Sequence, residues 1–269
     1  MITLKWIAIA AVALYLVAAV GMALLQTRLI FPAWAVSGDA VPLPTVAERL
    51  EIDLPEGGQI VGTRLPATES KPANAAHILA FGGNAWNADV FANYLHAIFP
   101  DRDITVFHYR GYSPSDGAPS AQALLEDALL IHDRLQADRI AIVGVSIGTG
   151  PAAHLAAERP VAGTLLITPF DSLHALVRGH HPWLPVRALL RHEMEAAQAL
   201  SRSTAPVAVI AAANDTLVPP RRTVAIREAA QTLVYDRTIA GTDHINIFDS
   251  PEFPPALREA LERIEGASG

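Results

Sequence analysis

The segment from Arg139 to Glu158 constrains this chain more than any other. An apolar run from Ile140 to Val145 carries straight into Gly144-Val145-Ser146-Ile147-Gly148, and an alanine-rich stretch continues to Glu158. The pattern reads as a buried strand followed at once by a helix, with the chain turning sharply at Ser146. Such a turn strains the serine backbone and lifts its hydroxyl above the end of the strand. Small residues are needed two places before and two after, because larger side chains would strike neighbouring backbone. The N-terminus of the helix carries partial positive charge that favours a developing oxyanion. G-x-S-x-G arises by chance in many chains; strand before and helix after make Ser146 a nucleophile candidate.

Around this segment the sequence alternates strand-like and helix-like stretches. Leu50 to Leu54 and Gln59 to Leu65 read as an opening β-hairpin around Glu56-Gly57-Gly58. His77 to Phe81 and Ile104 to Tyr109 are short apolar runs suited to buried strands, separated by a helical stretch from about Ala88 to Phe99. Ser120 to Gln136 is helical in spacing, with Ser120 as N-cap. Gly163 to Ile167, Val207 to Ala212 and Leu233 to Ile239 are further strands, and a last helix runs from about Pro254 to Ile264. Alternation of this kind predicts an α/β domain, with a mainly parallel sheet covered on both faces. At 269 residues, one large domain fits and a second would be cramped.

A serine hydroxyl near neutral pH needs a base, and the base needs an orienting acid. With a G-x-S-x-G turn the acid and then the histidine follow in chain order. Asp215 lies just past the apolar run Val207 to Ala212, at the end of a strand where ligands gather in open α/β sheets. Asp171, in Thr168-Pro169-Phe170-Asp171, is the alternative acid, or else a helix cap. Of ten histidines, His244 sits in a turn-rich loop between the last strand and the last helix, able to fold back over the sheet. His174, His180, His181 and His192 fall after Asp171 and are expected to line an entrance or face solvent; the remaining five lie on helices and strands, where packing is the default. No histidine pair sits in a metal-ligand motif. Two backbone amides should meet the oxyanion, from Ile147 and from Asn84 in Phe81-Gly82-Gly83-Asn84-Ala85-Trp86-Asn87. Trp86 and Tyr112 are candidates for the substrate pocket.

The N-terminus adds a membrane question. Trp6 to Leu25 carries no charge, enough for a helix across the ~30 Å hydrocarbon core. A cleaved signal peptide usually has a shorter apolar region, although Ala18, Ala19 and Gly21 offer a small-residue site. We expect a retained single-pass anchor over 1–28, a proline-rich linker over 29–48 and a catalytic domain over 49–269. Lys5 and Arg28 nearly balance; the short N-terminal tail favours a cytoplasmic N-terminus and an extracytoplasmic domain. A net charge of −7 without a Lys/Arg cluster argues against nucleic acid, and the absence of cysteine excludes disulfides and thiolate chemistry.

These motifs together resemble the membrane-anchored α/β-hydrolases of the bud-emergence type. Their HGNAGN loop is similar to Gly82-Gly83-Asn84-Ala85-Trp86-Asn87, and their Tyr-Arg-Gly-Tyr segment to Tyr109-Arg110-Gly111-Tyr112. The G-x-S-x-G, D-x-x-V-P and G-x-x-H elements match around Ser146, Asp215 and His244. Gln26-Thr27-Arg28-Leu29-Ile30-Phe31-Pro32 is similar to the segment that follows the family's anchor. Two departures stand out: Gly82 replaces the family's His and Trp86 a Gly. The resemblance implies the α/β-hydrolase fold, with an eight-stranded type of sheet, and a Ser146–His244–Asp215 serine hydrolase acting without a cofactor on a small acyl ester or thioester. A serine peptidase on the same fold and an inert membrane-tethered interaction module are the alternatives. The short stretch from Asp171 to Ser203 leaves room only for a small cap.

Overall fold

The computed structural model describes residues 2–36 and 41–268. Eight strands form one sheet: β1 (Glu48–Asp53), β2 (Gln59–Leu65), β3 (His77–Phe81), β4 (Ile104–Phe107), β5 (Ile140–Val145), β6 (Gly163–Ile167), β7 (Val207–Ala212) and β8 (Leu233–Ile239). Their order is β1-β2-β4-β3-β5-β6-β7-β8. β2 runs antiparallel to β1 and β4, and every pairing from β4 to β8 is parallel.

Helices cover both faces. Along β5, Ile140 and Ile142 join one core cluster while Ala141, Val143 and Val145 join the other, as the two-residue period of a strand requires. On the first face lie α3 (Ala121–Arg134) and α4 (Thr149–Glu158), supplying Leu124, Ile131 and Leu155. On the second lie α2 (Ala88–Ile98) and α9 (Phe253–Ala267), supplying Phe91, Leu95, Leu257 and Leu261. Ser120 caps α3, accepting from the Ala123 amide at 3.0 Å. Between β6 and β7 the short helices α5 (Leu173–His180) and α6 (Val186–Leu189) make a small cap, α7 (Ala196–Leu200) packs on α4, and α8 (Pro220–Ala229) precedes β8.

The long N-terminal helix α1 (Ile2–Ile30) is the single helix, among the described residues, long and apolar enough to cross a membrane; an 18-residue stretch within Leu4–Ile30 has mean hydropathy 2.5. One expectation needs correction. Residues 29–36 are not a loose linker: α1 continues through Ile30, and Phe31 and Val36 insert into the core. Burial of the aromatic ring supplies the reason for the chain to stay ordered where proline-rich composition suggested otherwise. The central part of the expected linker, residues 37–40, lies outside the described residues.

Strand order sets the location of the site. From β3 the chain goes first to β4 on one side, then to β5 on the other. The order therefore reverses beside β3, and the crevice beyond the carboxyl ends of β3 and β5 is the natural ligand position. Phe81 and Val145, the last residues of those strands, deliver the Gly82–Asn84 loop and Ser146 into it.

Candidate active site

Ser146 has φ 51°, a left-handed conformation that non-glycine residues rarely adopt. The flanking glycines explain how the turn holds together. A Cβ on Gly144 would lie 2.7 Å from both the Gly148 carbonyl oxygen and Ala152 Cβ. On Gly148 it would sit 2.2 Å from the Phe81 carbonyl oxygen and 2.9 Å from that of Gly82. The second glycine thus lets the loop after β3 close directly over the turn.

Asp215, His244 and Ser146 form a continuous hydrogen-bonded chain. His244 Nδ1 is 2.7 Å from Asp215 Oδ2, and His244 Nε2 is 2.8 Å from Ser146 Oγ. The second carboxylate oxygen, Asp215 Oδ1, accepts from the Val218 amide at 2.7 Å, which fixes the carboxylate and gives the D-x-x-V spacing its purpose. Asp215 is buried while Ser146 stays partly open. The alternative acid, Asp171, is committed elsewhere: its Oδ2 accepts from Arg222 Nη1 at 2.9 Å. It does not cap the following helix either, since Ser172 Oγ accepts from the Ala175 amide.

The loop after β3 is braced by the Tyr-Arg-Gly-Tyr segment. Tyr109 donates its hydroxyl to the Gly82 carbonyl at 2.7 Å, and Tyr112 donates to Asn84 Oδ1 at 2.7 Å. Burial raises the pKa of both phenols above the ordinary tyrosine value, so both remain donors. Arg110 pairs with Asp127 and Glu56, and Gly111 adopts φ +78°. Asn84 Nδ2 donates to the carbonyl of Ile30, the last residue of α1, at 2.7 Å. The roles of Tyr109 and Arg110 were not foreseen; their motif was visible, but the bond from Tyr109 to Gly82, 27 residues away, and the pairing of Arg110 with Asp127 and Glu56 leave no mark on spacing.

A cavity of about 510 Å³ opens over Ser146, with Asn84, Ile147, Phe170, Leu217 and Val218 among its walls. Its size falls within the ~300–1,000 Å³ usual for small-molecule sites. Two proposed pocket residues are not on it. Trp86 turns away to stack edge-on against Phe91 and Phe248, with centroids 5.2 and 4.9 Å apart, because its indole fills the space beside Gly83. Tyr112 is fully buried behind the loop, where its hydroxyl is occupied by Asn84. Among the cap histidines, His180 and His181 line the cavity as expected. His192 does not face solvent. It is buried against Phe31, and its Nε2 lies 2.8 Å from Thr27 Oγ1.

Residues 76–192 match the family described as the alpha/beta hydrolase fold. The uncharacterised protein Rv2307c of Mycobacterium tuberculosis is 33% identical over 204 residues, covering 72% of this chain and 71% of that protein. The chain belongs to the α/β-hydrolase family. A yeast relative, the membrane protein YNL320W of Saccharomyces cerevisiae, is 26% identical over 72% of this hydrolase-family chain and 74% of its own length. The macaque lysophosphatidylserine lipase ABHD12 is 26% identical over 60% of the chain and 49% of its own length. In fold, the chain is similar to the Pyrococcus furiosus esterase Pf2001 (TM-score 0.64, 15% identity, 85% of this chain and 95% of that one). It is equally similar to proline iminopeptidase of Mycobacterium smegmatis (TM-score 0.64, 14% identity, 82% and 100%). Membership of the α/β-hydrolase family supports hydrolase activity for this chain.

Proposed function

We propose that this protein is a membrane-anchored serine esterase that cleaves carboxylic esters, or thioesters, through an acyl-enzyme. The observation that carries the reading is the hydrogen-bonded run from Asp215 through His244 to Ser146 at the mouth of an apolar cavity. His244 Nε2 accepts the Ser146 proton as Oγ attacks the ester carbonyl. Asp215 accepts from Nδ1, holding the tautomer in which Nε2 is the free base. Amides of Ile147 and Asn84 are the assigned oxyanion donors. The alcohol leaves with a proton from His244, and water, activated by the same imidazole, releases the acid.

The apolar walls favour acyl groups over peptides, whose amides would be left without partners. Residues 1–28 act as the anchor and the α/β body as the catalytic domain, on the extracytoplasmic side. Hydrolysis of p-nitrophenyl esters of increasing chain length by the full chain in detergent tests the reading. Turnover that vanishes in Ser146→Ala is expected; an inert wild type, or a fully active Ser146→Ala, overturns it.

A further inference from the structure

One wall of the cavity comes from outside the α/β body. Met22, Ala23, Gln26, Leu29 and Ile30, on the last turns of α1, line it together with the cap residues Leu184 and Leu189. A helix serving only as a tether has no reason to meet the catalytic domain with such specificity. Here the two are joined by fixed polar bonds. Gln26, buried just past the apolar run, donates Nε2 to the Leu189 carbonyl at 3.0 Å and accepts at Oε1 from the Arg191 amide at 2.7 Å. Thr27 shares a hydrogen bond with His192, and the Tyr15 hydroxyl donates to the Trp183 carbonyl at 3.2 Å. At the other end the Ile30 carbonyl accepts from Asn84, which lines the cavity with Ser146. The register of α1 against the site is therefore fixed at both ends of the cavity.

Resting on the esterase reading, we propose that the end of α1 is the acyl-binding wall of the site and that its side chains set the acyl length accepted. Ile30 stands beside the reaction centre, and Met22 stands eight residues further along the helix, about 12 Å at ~1.5 Å per residue. An extended chain advances about 1.2 Å per bond, so the wall runs beside roughly ten carbons. The substrate class is an ester of one medium-length acyl chain. Its methylenes replace water along α1 and its carbonyl reaches Ser146.

The test uses the full chain in detergent with p-nitrophenyl butyrate, decanoate and myristate. Ala23 lies towards the far end of the wall, seven residues or about 10 Å from Ile30. In Ala23→Trp the kcat/KM ratio of decanoate to butyrate is expected to fall by at least ~10-fold, since a misplaced methylene in an apolar pocket already costs about that much. Met22→Ala lengthens the wall, and the ratio of myristate to decanoate is expected to rise several-fold; a gain of this kind does not come from misfolding. Val12→Trp, on the same helix but exposed and away from the cavity, keeps the wild-type profile. Unchanged profiles in both wall variants, or an equal loss on every ester without the Met22→Ala gain, overturn the inference while ester turnover by the wild type leaves the esterase reading standing. A wild type that neither hydrolyses esters nor takes a fluorophosphonate overturns both.

Discussion

Replacing Asn84 by alanine separates the brace of the oxyanion loop from its backbone donor. The amide of residue 84 survives, but two side-chain bonds go: Nδ2 to the Ile30 carbonyl and Oδ1 from the Tyr112 hydroxyl, each 2.7 Å. Each is worth about 0.5–1.5 kcal/mol net, and stranding the buried Tyr112 donor costs about 1–3 more. The sum is roughly 2–6 kcal/mol, and at ~2–4 °C per kcal/mol for a chain of this size the Tm falls by roughly 4–24 °C. Loss of one oxyanion donor outright costs about 10²–10³ in kcat, so a slackened loop should lose kcat up to that limit with KM moving less. Thermal melts and steady-state ester hydrolysis read the two effects. The double variant Asn84→Ala/Tyr112→Phe removes the stranded hydroxyl, so it recovers part of the Tm loss without recovering kcat. A single variant with kcat within about twofold of wild type would refute the positioning role. Recovery of kcat by Tyr112→Phe would refute the assignment of the loss to loop geometry.

Gly148→Ala should abolish ester hydrolysis in a protein that still folds, because its Cβ would stand 2.2 Å from the Phe81 carbonyl and force apart the Ser146 turn and the oxyanion loop; wild-type kcat/KM would contradict it. Arg102 and Glu265 form a buried ion pair at 2.8 Å, in which Glu265 also accepts from the Ala76 amide. Arg102→Met alone should cost about 3–5 kcal/mol in denaturant unfolding, and Arg102→Met/Glu265→Leu should cost less. Burial lowers the His77 pKa from 6.5 to about 4. The unfolded chain therefore binds the extra proton between those values, and stability present above pH 6.5 is lost as pH falls towards 4, by about 3 kcal/mol in all. His77→Gln should flatten that part of the stability profile; an unchanged slope would show that other groups carry it.

The sheet could be read from sequence because most of its strands are buried on both faces, which leaves unbroken apolar runs such as Ile140 to Val145 between glycines and helical stretches. Ser146, Asp215 and His244 could be brought together on paper because each follows a strand end, and strand ends share one edge of a parallel sheet. The fate of Trp86 was not legible in that way: a tryptophan beside the oxyanion loop can wall the pocket or back it, and only the presence of Phe91 and Phe248 behind it decides. Tyr112 failed for a related reason, since a hydroxyl fits a substrate or a loop amide equally well in one dimension. The stretch after α1 looked like a linker because its composition is proline-rich, yet Phe31 binds it into the core. His192 was placed at the entrance by its neighbours in sequence; its partner Thr27 lies 165 residues away.

The most direct measurement is the site of covalent capture by a fluorophosphonate, located by peptide mass spectrometry on the full-length protein. The account predicts one adduct, on Ser146, absent from Ser146→Ala and formed at least ~10³-fold more slowly in His244→Ala. An adduct on another residue, or labelling of Ser146 at the wild-type rate without the imidazole, would contradict it.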